Sequence, residues 1–156
     1  MSAQNIFDHV PLGAIVRFTD GTPQPPKHHT NKLRVWKRSN DIGRLTRKTP
    51  AYTMGKTTMS ASITLHMGDM GNGQTPMIRF YQTMPTTSRL EFSIVKLPEA
   101  GQVLILDKPG EQGEFVHLAA SQADAKQWLS QHGYPEAVLE EVTDEMLAGC
   151  VDEVAA

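Results

Sequence analysis

The chain has 156 residues, the length of one ordinary domain, and its 39% hydrophobic composition is enough for one apolar core. Cys150 is the single cysteine, which excludes an intrachain disulfide. The sequence has no signal-peptide pattern and no apolar run near the roughly 20 residues that span a bilayer, so we expect a cytoplasmic protein without membrane contact.

The net charge of −2 conceals an uneven distribution of charged side chains. Residues 1–60 carry ten basic and three acidic side chains, a local charge of +7, whereas residues 61–156 carry five basic and fourteen acidic ones, a local charge of −9. Such asymmetry indicates a polyanionic partner or an acidic tail. The other interpretation is that the two segments face each other in the fold and neutralise one another.

The first 60 residues are predicted to contain two strands and a helix, separated by loops. β-Branched and aromatic residues indicate the first strand. Thr30 or Asn31 is a favourable N-cap for a helix whose apolar face would contain Leu33 and Trp36. In chain order we expect an irregular lead-in over 1–11, a strand over 13–18, a proline-rich loop over 22–26, a helix over 30–39, a strand over 43–48 and a loop over 50–60.

The middle of the chain alternates apolar and polar side chains, which is typical of strands in an antiparallel sheet. In the first of these strands, Ile63, Leu65 and Met67 would share one face. The glycine-rich segment 68–73 is predicted to be the loop of a hairpin over 61–83. The predicted strands cover 61–67, 77–81, 90–97, 102–107 and 114–119.

The C-terminal third changes to a helical period. Ser121 is predicted to cap a helix over 122–132 and Thr143 a final helix to about residue 151, while 137–142 suits either a strand or a helix. These patterns predict an α+β fold, with a mainly antiparallel sheet of about five to seven strands, two C-terminal helices and a short N-terminal helix. We expect a single domain over 1–156, or alternatively a small N-terminal β subdomain over 13–48 joined through the loop 50–60.

Basic side chains concentrate between Lys27 and Lys48, where Asp41 is the single acid. Because neutralised phosphates supply most non-specific affinity for nucleic acid, this cluster predicts contact with DNA or RNA, with Trp36 stacking on an exposed base. The alternative for Trp36 is a core position, since it has helical spacing from Leu33. The predicted nucleic-acid-binding residues are Arg34, Trp36, Lys37, Arg38, Arg44, Arg47 and Lys48.

Acidic side chains without local compensation concentrate at the C-terminal end. Residues 136–156 carry seven of them and no basic residue. Such a face would dock on a basic protein partner, as a mimic of nucleic acid does, or would serve only solubility. The predicted partner-binding residues are Glu140, Glu141, Asp144 and Glu145. In that case the protein is an interaction module or an inhibitor.

Catalytic motifs are weak throughout. The glycine-rich segment 68–73 precedes another predicted strand and lacks a Lys-Ser/Thr pair, so it indicates a hairpin rather than a phosphate site. Cys150 falls on an apolar helix face and is predicted to be a core residue. An enzyme would need a pocket lined by His66, His117 or Asp69. We therefore predict no catalytic residue, metal or cofactor, and a small binding protein whose partner is nucleic acid or, alternatively, a basic protein; an enzyme with an unrecognised site is the third alternative.

Overall fold

The computed structural model describes residues 1–71, 76–150 and 153, and this part of the chain forms four α-helices and ten β-strands. Its strands pair antiparallel in three sheets, so the predicted α+β class with a large antiparallel sheet is confirmed, although the strands outnumber the prediction. The elements are α1 (Ala3–His9), β1 (Ile15–Thr19), α2 (Thr30–Lys37), β2 (Asp41–Thr49), β3 (Tyr52–Met54), β4 (Thr57–Met59), β5 (Ser62–Gly71), β6 (Pro76–Pro85), β7 (Glu91–Lys96), β8 (Val103–Leu106), β9 (Phe115–Ala119), α3 (Gln122–Ser130), β10 (Val138–Glu141) and α4 (Asp144–Leu147).

The first eleven residues contain a helix, so the predicted irregular lead-in was wrong. The Ser2 hydroxyl caps α1 by accepting a hydrogen bond from the Asn5 amide. Ala3, Ile6 and Val10 follow at helical spacing and are fully buried. These three side chains anchor α1 in the main core, which gives so short a helix the tertiary packing that it needs.

The largest sheet has five strands in the order β6-β5-β2-β1-β7. Alternation along the strands places Val16, Leu45 and Leu65 on one face, where they are fully buried in the same apolar cluster as α1. We call this the core face and the opposite one the open face. Residues 13–48 supply β1 and β2, which pair in this sheet with strands from residues 62–96. The division of the chain into domains stays a prediction.

A three-stranded sheet, in the order β10-β8-β9, follows in the C-terminal half. Alternate residues of β8 pack against α3 and against the segment after β10. The helix predicted from Ser121 is confirmed, and the Ser121 hydroxyl accepts a hydrogen bond from the Asp124 amide. The ambiguous segment 137–142 contains β10, because its apolar residues pair with β8.

The final helix is a single turn rather than a helix to about residue 151, which lies outside the described residues. Ala148 is extended and Gly149 has a φ of 82°, a left-handed conformation that glycine adopts without steric cost. This turn brings Cys150 into the main core, as predicted, where its thiol lies 3.0 Å from the His9 carbonyl oxygen.

Two segments predicted to be loops contain strands. Within 50–60, the strands β3 and β4 pair as an exposed hairpin around Gly55, whose φ is 62°. Within 68–73, β5 continues to Gly71, whereas residues 72 and 73 lie outside the described part. The glycines are tolerated there because β5 pairs with β6 along its whole length, with β-bulges where the register shifts.

Candidate functional site

Five basic side chains on α2 and its flanks are exposed to solvent, and no acidic residue lies between residues 27 and 40. Within the described ranges, none of the five forms a salt bridge. We call this group the α2 surface. It consists of Lys27, Lys32, Arg34, Lys37 and Arg38.

Hydrogen bonds rather than apolar packing hold α2 in place. The helix buries no residue, and its N-cap is His29 without a side-chain cap, not the predicted Thr30 or Asn31. Instead, the buried Asn40 amide group, 7% exposed, joins the end of α2 to the loop after β1. Its nitrogen donates to the Trp36 carbonyl at 2.9 Å and to the Asp20 carboxylate at 3.0 Å.

The Asn40 side-chain oxygen completes this connection. It accepts hydrogen bonds from the Thr19 hydroxyl at 2.6 Å and the Asp20 amide at 3.2 Å. Hydrogen bonds from Thr22 and from Asn40 also hold the pKa of Asp20 below its ordinary value. Asn40 was not among the predicted site residues. The available signal was an Asn immediately after a basic helix, a residue type that often bonds to nearby backbone.

Trp36 lies half-buried between two open cavities of about 290 and 480 Å³. Its indole N–H donates to the Thr22 carbonyl at 3.1 Å, so the ring is fixed against the loop after β1. Arg17 and Lys37 line the smaller cavity together with Trp36. The structure therefore places Trp36 in the same cavity lining as Arg17, a residue of β1 that the predicted set did not include.

The structure separates Arg44 and Arg47 from this group. Both lie on the open face, where they contact the three-stranded sheet. Arg47 forms an ion pair with Glu114 at 3.1 Å, and the Arg44 guanidinium lies 5.6 Å from the centroid of the Phe115 ring. Burial lowers the pKa of Arg44. The two cations thus bridge the two sheets, and neither lines the cavities beside Trp36.

Lys48 lies on the other side of β2. A register shift between Leu45 and Arg47 lets Arg47 pair with Thr64, and Lys48 then pairs with Ile63 on the core face. Burial lowers the pKa of Lys48, opposed by the thiol of Cys150 and the carboxylate of Asp8. Its side chain lines a cavity of about 260 Å³ that Glu140 also lines.

The four predicted acidic residues are exposed but do not form one face. Glu140 and Glu141 are consecutive on β10 and therefore project to opposite sides of the sheet. Asp144 and Glu145 belong to the first turn of α4, which Thr143 caps by accepting a hydrogen bond from the Met146 amide. Carboxylates in this first turn favour the helix itself, since they lie near its positive end.

The candidates for an enzyme site are brought together only in part. His66 Nε2 lies 2.6 Å from an Asp69 carboxylate oxygen, and the imidazole ring is tilted against Tyr81 at 5.4 Å. His117 instead stacks on Trp128 at 4.7 Å, and burial, followed by the charges of His132 and Arg44, lowers its pKa. In the described part of the chain, no group of three or more His, Cys, Asp or Glu side chains has the arrangement of a metal site.

No helix in the described ranges is both long and apolar enough to cross a membrane. The chain belongs to the family described as Uncharacterised conserved protein UCP036055, whose model matches residues 1–146. No curated protein and no solved structure matches the chain.

Proposed function

We propose that this protein binds nucleic acid through the α2 surface. The observation that supports this function is the set of five exposed cations, uninterrupted by an acid between residues 27 and 40. Within the described residues they have no salt-bridge partner, so their charge is available to phosphates. A solvated helix held by polar contacts at one end presents such charges without burying them.

The surroundings of Trp36 support the same function. Arg17 and Lys37 line one cavity with the partly exposed indole, so two cations flank the aromatic ring, and Asp41 is the one acid in that lining. Aromatic rings stack on bases of any sequence, and cations beside them contact the backbone of the same strand. Phosphate contacts and stacking then act together, without sequence-specific readout of base edges.

The proposal narrows the predicted set of residues. Three of the predicted basic residues are half-buried. Arg44 contacts Phe115, Arg47 contacts Glu114, and Lys48 lines a cavity on the core face. Cations in such contacts release few counterions when a polyanion binds, so we propose no phosphate contact for these three residues. The proposed phosphate-binding residues are Arg17 and the five members of the α2 surface.

The number of phosphate contacts predicts how steeply the affinity for nucleic acid falls with salt concentration. Six phosphate contacts correspond to a log–log salt slope of about −4.2 for a single strand and about −5.4 for a duplex. Between 50 and 200 mM salt, the affinity then falls about 300- to 2,000-fold. We expect measurable binding of a labelled oligonucleotide by fluorescence anisotropy at 50 mM salt and little at 200 mM.

A matched pair of variants tests the assignment. The test variant removes four charges of the α2 surface, and the control removes four exposed charges elsewhere, so both have the same net charge. The test variant is Lys32→Gln, Arg34→Gln, Lys37→Gln and Arg38→Gln, and the control is Lys56→Gln, Arg89→Gln, Lys108→Gln and Lys126→Gln. The test variant should bind at least about 30-fold more weakly, with a slope reduced by about 3, while the control stays close to the unmodified protein.

Equal losses in both variants would mean that only net charge matters and would refute a localised surface. Absence of binding at 50 mM salt would refute the function itself. The alternative of a basic protein partner has less support, because Glu140 and Glu141 project to opposite sides of β10.

A further inference from the structure

A stripe of large apolar side chains lies on the outer part of the β5–β6 hairpin. Between Met84 and Ile78, side chains of β6 on the core face recur at every second residue, because the one register shift with β5 in this stretch, between His66 and Gly68, lies on the β5 side. The series begins inside the core with Met84, which is 4% exposed, and leaves the core at Phe80, 46% exposed, and Ile78, 51% exposed.

The stripe continues on the neighbouring strand. Met70 pairs with Ile78 and is 60% exposed, so three large apolar side chains lie close together in solvent. Single exposed apolar residues are ordinary on protein surfaces, whereas a contiguous group indicates a binding surface. We call these three residues, Met70, Ile78 and Phe80, the hairpin platform.

The residue opposite Phe80 leaves its ring uncovered. Gly68 pairs with Phe80, and a Cβ atom placed at Gly68 would meet no atom within 4 Å. Packing therefore does not demand glycine at this position, and the space above Gly68, across the strand pair from the exposed Phe80, is open. An aromatic ring that strand pairing leaves open on one side is suited to stack on a flat ligand.

The hairpin platform adjoins the α2 surface. Gln82, the residue between Met84 and Phe80 in the series, donates a hydrogen bond from its side-chain amide to the Arg38 carbonyl at 2.9 Å. Phe80 lies two residues farther along the same strand, about 7 Å away, which is about twice the 3.4 Å rise per phosphate along the axis of a duplex. A chain whose phosphates contact the end of α2 thus reaches the platform within a few nucleotides.

The α2 surface and the hairpin platform together favour one kind of ligand. Cations and an uncovered aromatic ring suit a polymer that carries both phosphates and accessible planar bases. A duplex supplies the phosphates but hides the flat faces of its bases in the stack. We propose that the hairpin platform stacks unpaired bases, with Phe80 as the central ring, so that the nucleic acid bound on the α2 surface is single-stranded. This inference rests on the function proposed above.

The test compares a labelled single strand with the duplex of the same sequence at 50 mM salt. The unmodified protein should bind the single strand at least about 10-fold more tightly. Phe80→Ala should weaken single-strand binding about 5-fold or more, leave its salt slope unchanged and leave duplex binding unchanged. Phe80→Trp should retain the affinity. Tyr52→Ala, which removes an equally exposed ring from the β3–β4 hairpin, is the control and should have no effect.

A second variant keeps Phe80 and covers it. Gly68→Leu places a side chain in the open space beside the ring and should also weaken single-strand binding, while thermal melting confirms that the protein remains folded. Irradiation of a bromodeoxyuridine-containing strand should crosslink to the peptide that contains Phe80. Sedimentation of the unmodified protein and of Phe80→Ala should give the same molecular mass.

The outcomes separate this inference from the proposed function. If neutralising α2 weakens binding but Phe80→Ala does not, or if the duplex binds as tightly as the single strand, the platform is refuted and the α2 surface stands. If neither nucleic acid binds in a salt-dependent way, both proposals fail. If the unmodified protein is a dimer and Phe80→Ala a monomer, a second copy covers the platform, and the inference is wrong.

Discussion

Replacing Asn40 with alanine should detach α2, because this side chain makes one hydrogen bond to the helix at Trp36 and three to Thr19 and Asp20 at the end of β1. A buried hydrogen bond contributes about 0.5–1.5 kcal/mol net, so four give about 2–6 kcal/mol. The Thr19 hydroxyl and the Asp20 carboxylate are near solvent and regain water when the amide is removed. We therefore expect the lower part of this range, about 2–3 kcal/mol.

The loss should be visible locally as well as globally. Since α2 buries no residue, it has little apolar packing to retain it once Asn40 is gone. Amide hydrogen exchange of α2 should accelerate, and Trp36 should shift its emission to longer wavelength, measured in a Trp128→Phe background so that Trp36 alone reports. Affinity for a single strand should fall although no charge has been removed.

Asn31→Ala is the matched control, because in the described part of the chain this exposed amide has one side-chain hydrogen bond, which it accepts from Arg34 at 3.1 Å. Its effect on the free energy of unfolding in urea should stay within about 0.5 kcal/mol. If Asn40→Ala changes the free energy of unfolding no more than Asn31→Ala does, or leaves hydrogen exchange in α2 unaltered, the helix is held by something other than the Asn40 hydrogen bonds.

Two further changes test what Arg47 and His117 contribute to the stability of the fold. Arg47→Met should lower the free energy of unfolding in urea by about 1–2 kcal/mol, because it leaves Glu114 without its ion-pair partner. This magnitude lies between the values of exposed and buried ion pairs. The affinity for nucleic acid should change less than about 2-fold. The lowered pKa of His117 means that the unfolded chain takes up a proton more readily than the folded one as pH falls below about 6.5, so stability should decrease there and level off below the folded pKa. The free energy of unfolding of His117→Gln, measured in urea, should depend less on pH between pH 7 and 5 than that of the unmodified protein. The exposed control His28→Gln should keep the pH dependence of the unmodified protein. Equal pH dependence in the two variants would refute His117 as the cause.

Sequence patterns predicted the elements whose signals are local. Ser121 with its helical apolar spacing led to α3, and the alternation around Ile63 and Leu65 led to β5, because capping and strand periodicity depend on neighbours in the chain. α1 was missed although Ser2 and the spacing of its apolar residues were available signals. Its stability depends on contacts with distant strands, which a short window does not reveal.

The long hairpin was missed for a different reason. Glycines are depleted in strands, so the segment from Gly68 was predicted to be a loop. In the fold, pairing with β6 outweighs this preference, and the register shift after His66 absorbs an extra residue. The exposed Phe80 and Met70 thereby become part of a hydrogen-bonded strand pair. No local signal in the sequence places them beside α2, since the Gln82 contact with Arg38 spans 44 residues.

The basic cluster shows why proximity in sequence is a poor guide to a surface. Arg38 and Arg44 are six residues apart, yet one ends an exposed helix and the other contacts Phe115. Alternation then puts Arg47 and Lys48 on opposite faces of β2, and the bulge near Leu45 determines that Lys48 is the one on the core face. Strand alternation and bulges are fixed only by pairing, so the sequence predicted the charge correctly but not its division among three environments.

Among the described residues, the fold compensates the charge of some basic residues and leaves that of others uncompensated. Arg47 meets Glu114, and Lys48 shares a cavity with Glu140, so basic residues of β2 face acidic residues from the C-terminal half. The α2 surface has no such compensation in the described part of the chain. Because the whole protein is negative, its distant carboxylates repel nucleic acid when the Debye length reaches about 30 Å at 0.01 M salt, and are screened at about 10 Å in 0.1 M. Affinity for a single strand should consequently rise less steeply below about 0.05 M salt than the slope above it implies, which distinguishes a local cationic surface on an acidic protein from a uniformly basic one.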